Sequence, residues 1–184
     1  MCNLRLYKIK NNVDYLKSDL EFCLNITTQG VPVTMLAEIN QLKISDSYRD
    51  CRYNILDIIS IYEGLTSNYF LDRSLRLDKM LEIKNLANLF HNSIYGFIDK
   101  CKTYLQKDYF IQTVSKDKAA ELLQNVEYTL KSIEKSIVFL KAAIESEAII
   151  LEKSINKEYL ITNKELQQWQ MNQKNLILKK LIKK

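Results

Sequence analysis

The chain has 184 residues, 47% of them hydrophobic, with three glycines, one proline and a formal charge of +5. That size and apolar content suffice to bury a core without disulfides or metals, and they exclude whole-chain disorder. All 22 acidic side chains precede residue 166, and five lysines follow it, so a neutral body carries a cationic end; a general nucleic-acid binder more often shows a basic face.

With so little turn-forming glycine and proline, the elements should be few and long. Residues 4–10 alternate loosely and read either as a short extended arm or as a frayed lead-in. From 12 to about 28, Val13, Leu16, Leu20, Cys23 and Leu24 recur every three or four residues, which is one face of a helix. Asn11 is its candidate cap, and Gly30 and Pro32 end it. A short helix over 35–44 follows, with Met35, Leu36, Ile39 and Leu42 as its stripe.

Ser47 with Asp50 resembles a capping box. The helix from 48 to about 71 carries Tyr48, Cys51, Ile55, Ile58, Tyr62, Leu65 and Tyr69, spaced as in nearly parallel bundles. The next spans 74–107, lined by Met80, Ile83, Leu86, Phe90, Ile94, Phe97, Cys101 and Leu105; Asp72 or Ser74 caps it, and Gly96 is a weak point or a close-contact position. Ser115 and Asp117 open the longest pattern, from Leu122 through Ile133, Ile137, Leu140, Ile144 and Leu151 to Ile155. A helix over 116–161 would be roughly 70 Å long, more than a compact bundle of this size covers. It must protrude, pair with another chain, or bend near Ser154–Asn156. Thr162 with Glu165 forms a second possible capping box, which points to a separate last helix over 163–184, amphipathic and cationic, with Leu166, Trp169, Leu176, Ile177 and Leu181 on its apolar side.

The reading is an all-α protein: an antiparallel helical bundle of five or six helices in a single domain, 1–184, with one unusually long helix and a C-terminal helical appendage. No apolar run approaches the roughly 18 residues of a membrane span, and Met1–Leu6 leads into Lys8 and Lys10 without a secretory pattern. The expected setting is cytoplasmic, with Cys23, Cys51 and Cys101 as free thiols on apolar stripes and Cys2 more reactive.

Catalytic hardware is not legible. Three glycines, at 30, 64 and 96, build neither a phosphate-cradling loop nor a dinucleotide fingerprint. His91 is the sole histidine, with no nucleophile assigned to it, and Asn88 stands where a di-iron bundle needs glutamate. No cysteine pair has zinc-site spacing. Neither a cofactor nor a metal is expected. The carboxylates Asp19 and Glu21, and Glu145 and Glu147, are two apart and read as solvated faces. Among the tyrosines, Tyr48, Tyr62 and Tyr69 read as core, and Tyr53, Tyr104, Tyr109, Tyr128 and Tyr159 as less clearly buried.

The sequence therefore points by elimination to a non-enzymatic helical interaction or adaptor protein. It would present rigid helix faces to another protein, or form a homodimer through coiled-coil pairing of the long helix. Ile144, Leu151 and Ile155 are the candidate pairing residues, together with Trp169. One alternative is peripheral binding to an anionic membrane or nucleic acid through the tail lysines Lys174, Lys179, Lys180, Lys183 and Lys184. The other is an enzyme with an unfamiliar helical site.

Overall fold

The computed structural model describes residues 3–28, 36–67 and 72–182, with side chains described over 6–28, 37–67 and 72–172. It is an all-α bundle of six helices: α1 (Asn3–Thr28), α2 (Leu36–Gln41), α3 (Ile44–Ser67), α4 (Arg73–Leu105), α5 (Asp108–Val114) and α6 (Lys116–Ile182). Four of them form the bundle, in the ring order α1, α3, α4, α6, each packed on the next and α6 on α1.

Neighbours run antiparallel, and polar contacts along the seams fix their register. On the α4/α6 seam Lys84 meets Glu145 at 3.7 Å, Tyr95 donates to Glu134 at 2.9 Å, and Lys102 meets Glu127 at 3.3 Å. As one number rises the other falls in step. On the α3/α4 seam, Tyr48 stacks at a tilt on Phe97, centroids 6.0 Å apart, and Arg76 donates to the Leu65 carbonyl at 3.1 Å. The apolar stripes read from the sequence meet in the middle: Leu16 and Leu20 from α1, Ile55 and Ile58 from α3, Phe90 and Phe97 from α4, and Ile133 and Leu140 from α6 are all buried.

Several boundaries differ from the sequence reading, each for a local reason. The first helix begins at Asn3, because Leu6 and Ile9 extend its buried stripe by two turns; Asn11 is mid-helix and caps nothing. The third starts at Ile44, so Ser47 lies inside it and accepts a hydrogen bond from Lys100 of α4 instead of capping. Its entry passes through Lys43, whose φ of 51° lies in the left-handed region. Gly96 neither breaks α4 nor marks a close contact, since a Cβ there would meet nothing within 4 Å. The stretch 108–114, read as connector, forms α5; it closes one end of the bundle by placing Phe110 5.1 Å from Tyr104, which is itself buried. Ser115 then turns the chain with φ 83°, and its hydroxyl accepts the Lys118 N–H at 3.3 Å, capping α6.

The largest difference is at the C-terminus. The helix neither breaks near Ser154–Asn156 nor restarts at Thr162. The Thr162 hydroxyl donates to the Glu158 carbonyl one turn back, at 3.0 Å, so it lies within a continuous helix. The segment 163–182 is therefore the end of α6 rather than a helix of its own. At 1.5 Å per residue α6 is about 100 Å long, against about 50 Å for α4 and 40 Å for α1.

The seam of Ile133, Ile137, Leu140 and Ile144 is sealed from solvent by the other three bundle helices. Truncating any one of them to Ala should lower stability by about 2–5 kcal/mol, through lost burial and the cavity left behind. Urea unfolding followed by circular dichroism checks this; losses below about 0.5 kcal/mol at all four would mean the seam is not core.

Candidate functional site

Three kinds of group deserve weighing as chemistry: the thiols, the polar clusters, and the part of α6 that leaves the bundle. Cys23, Cys51 and Cys101 are free and buried, and desolvation pushes each thiol up to about 12. A thiol held protonated in an apolar core is neither a nucleophile nor a metal ligand at neutral pH. Thr27 and Thr129, also buried, turn their hydroxyls back to the carbonyls of Cys23 and Asn125, both at 2.8 Å, so they add no unsatisfied donor to this region. Cys2 lies outside the described residues.

His91 sits half-buried on the α4/α6 seam, in a network that local spacing could not reveal, because its partners come from two helices. Lys141 Nζ lies 3.2 Å from His91 Nδ1, Tyr95 Oη 3.5 Å from Nε2, and the Tyr95 hydroxyl donates to Glu134 at 2.9 Å. With a neutral ring, the ammonium donates to Nδ1, Nε2–H points at the phenol oxygen, and the phenol donates to the carboxylate. Burial first, then the Lys141 charge, pull the His91 pKa below its ordinary value, with Glu134 opposing. Every group in this chain is used in joining α4 to α6. Among the described residues no three His, Cys, Asp or Glu side chains are grouped to hold a metal ion.

The paired carboxylates divide. Glu145 is exposed, as expected, but Glu147 is 5% exposed, so its side of α6 is not a solvated face. Asp19 is half-buried against α6, and its Oδ2 has no hydrogen-bond partner. Tyr104, expected to be less clearly buried, is fully buried, and burial pushes its phenol up to about 12.

The free end of α6 begins where Arg73, at the start of α4, reaches Ser154 at 2.8 Å and pairs with Glu158. From Asn156 to Asn172 every side chain except Asn163 is exposed. The stripe that is core within the bundle nevertheless continues at the same spacing. Leu151 and Ile155 are half-buried; Tyr159, Leu166 and Trp169 follow, 68%, 52% and 59% exposed. Of the candidate pairing residues, Ile144 needs correction: it is sealed inside its own bundle, so no second chain reaches it. Lys174, Lys179 and Lys180 belong to the helix, with side chains outside the described residues, where Lys183 and Lys184 also lie. Leu166 and Trp169 read in the sequence as the apolar side of a separate last helix; that they continue the stripe of Ile155 through Tyr159 is hidden by the apparent cap at Thr162. Comparison with known protein families, with curated proteins and with solved structures gives no match to this chain.

Two measurements follow from the buried groups. On native protein a thiol reagent should leave Cys23, Cys51 and Cys101 unreacted over minutes and titrate them promptly in denaturant; fast native reaction of any of the three would contradict their burial. Desolvation holds the Asp19 carboxyl above its ordinary 3.8, with Ser132 opposing. The folded state therefore binds this proton more readily than the unfolded chain, and the ionised carboxylate costs stability at neutral pH. Asp19→Asn should stabilise at pH 7 by a few tenths to about 1 kcal/mol, given solvent screening, with the gain vanishing as pH falls below about 4. A variant less stable than the parent at pH 7 would refute this.

Proposed function

We propose that this is a non-enzymatic helical protein whose working part is the free end of α6, and that its partner is a second copy of the chain. One observation carries the reading: the core stripe of α6 runs on past its bundle neighbours and ends in exposed Tyr159, Leu166 and Trp169. Large apolar side chains in a contiguous row seldom face water in a monomer. Tyr and Trp are the side chains that most often anchor interfaces. A second helix laid along this row supplies the neighbours that α1, α3 and α4 are too short to supply, and twofold self-pairing is the commonest such arrangement. The thiols held protonated and the His91 network committed to the α4/α6 seam support a non-catalytic role.

The working substitution is Leu166→Glu together with Trp169→Glu, both exposed, because charge at Ile144 would simply disrupt the core. Light scattering over a range of protein concentrations should give a mass rising from 21.7 kDa towards twice that value for the parent. Each lost anchor weakens pairing by about 2 kcal/mol, a factor of roughly thirty, so the double variant should stay monomeric with its helix content intact. A parent mass fixed at 21.7 kDa throughout would reject self-pairing.

A further inference from the structure

The opposite side of α6 carries a second pattern, independent of the pairing stripe. Starting at Tyr128 and stepping by three or four residues to Met171, one traces a solvent-facing strip of the helix about 65 Å long. Five lysines stand on it, Lys131, Lys135, Lys153, Lys157 and Lys164, all exposed, and the strip contains no acidic residue. The carboxylates along this length of α6 lie off the strip: Glu127, Glu134 and Glu145 turn towards Lys102, Tyr95 and Lys84 of α4, Glu158 pairs with Arg73, Glu147 is buried, and Glu152 and Glu165 are exposed beside it. Among the described residues none of the five lysines has a carboxylate partner; Lys135 lies over the Phe139 ring, 5.9 Å from its centroid.

Between the lysines the strip is apolar. Val138, Phe139, Ile149, Ile150, Leu160 and Met171 are all exposed. Beside it α1 adds exposed Tyr15 and Phe22, and Tyr15 shares a groove with Phe139, Ala142 and Ser146. A strip both cationic and aliphatic, with the carboxylates beside it turned mostly to the α4 seam, fits a partner that is anionic at its surface and apolar just beneath.

From this geometry we infer that the outer strip of α6, with the adjoining side of α1, lies on the surface of an anionic phospholipid bilayer. The lysine stems lie along the acyl boundary and their ammonium groups reach the headgroups, while the aliphatic side chains enter between them. Nucleic acid fits less well. Its interfaces are strongly polar, and they favour arginine, whose fork matches phosphate and base edges; α6 has no arginine. The protein lies on the bilayer rather than spanning it, since no described helix is long and apolar enough to cross one. The surface differs from the tail lysines beyond residue 172, which allows the two to be tested apart.

The test is flotation of the full chain with vesicles of pure phosphatidylcholine, or of phosphatidylcholine and phosphatidylserine at about two to one. Binding should require phosphatidylserine and weaken as salt rises. Glutamate at Lys131, Lys135, Lys153, Lys157 and Lys164 should reduce it at least about tenfold. Serine at Phe139, Ile149 and Leu160, all exposed, should weaken it as well, which pure charge attraction would not give. Glutamine at all five tail lysines should leave most of the binding in place. Absence of binding to the anionic vesicles would overturn the inference, as would loss with the tail variant alone. So would tighter binding to an oligonucleotide than to vesicles at the same salt. Circular dichroism of each variant confirms an unchanged helix content, and the Leu166 and Trp169 variant, which should bind vesicles normally, keeps a failure of self-pairing distinct from a failure here.

Discussion

The mismatch between one helix and its three neighbours governs the rest of this structure. An apolar stripe is worth burying only for as long as something lies across it, and α3 and α4 run out where Arg73 meets Glu158. Up to that point α6 follows bundle logic, with mostly isoleucine and leucine at three- and four-residue spacing and every neighbour antiparallel. Beyond it the same spacing persists, but the residue types change. Threonine occupies position 162, and tyrosine and tryptophan replace the isoleucines. Aromatic side chains with a polar tip tolerate partial exposure better than isoleucine does. That composition suits partial exposure rather than a permanent core.

Charge on α6 is sorted by side, and packing explains the sorting. Glutamates on the side of α4 are satisfied by lysines, an arginine and a tyrosine across the seam, so this seam is polar at its rim and apolar inside. Each of these exposed ion pairs contributes little, on the order of 0–1 kcal/mol. Their larger effect is on register, because a slip of one residue would misalign the whole series. The price of this arrangement is that the lysines on the outer side are left with no internal counter-charge. The body is neutral by count yet has a basic strip, a distribution that a net charge cannot reveal.

Much of the fold was legible because period and composition agree. The stripes of α3, α4 and the bundle part of α6 were read residue by residue, and the seam from Ile133 to Ile144 lies where the spacing placed it. What failed was punctuation. Ser47, Thr162 and Gly96 are residues that often end or begin helices, yet here each lies inside one. Ser47 is taken up by Lys100, Thr162 bonds back along its own helix, and Gly96 is on the open side of α4. A cap depends on the chain turning away, and tertiary packing decides that. The candidate sites were less legible for a related reason. The His91, Tyr95, Glu134 and Lys141 network joins two helices separated by tens of residues, and no local spacing encodes it. The basic strip was present in the sequence but diluted by counting acids and bases together rather than by side.

The two surfaces proposed for α6 lie on opposite sides of the same rod, and this has a geometric consequence. A helix that rests its lysine strip on a flat anionic surface keeps Leu166 and Trp169 turned away from it, so pairing and surface binding do not compete for the same residues. Confinement to a plane also raises the effective concentration of one chain for another, as a short linker does, without adding any contact. Pairing adds no second strip to the same plane, because two helices that meet along the stripe turn their lysine strips away from each other. The four-residue steps from Leu151 through Ile155 to Tyr159 repeat those from Leu140 through Ile144 to Ala148 inside the bundle, so the stripe keeps its side of the helix where α6 leaves its neighbours. Pairing stripe and lysine strip therefore run on, on opposite sides, through both parts of α6.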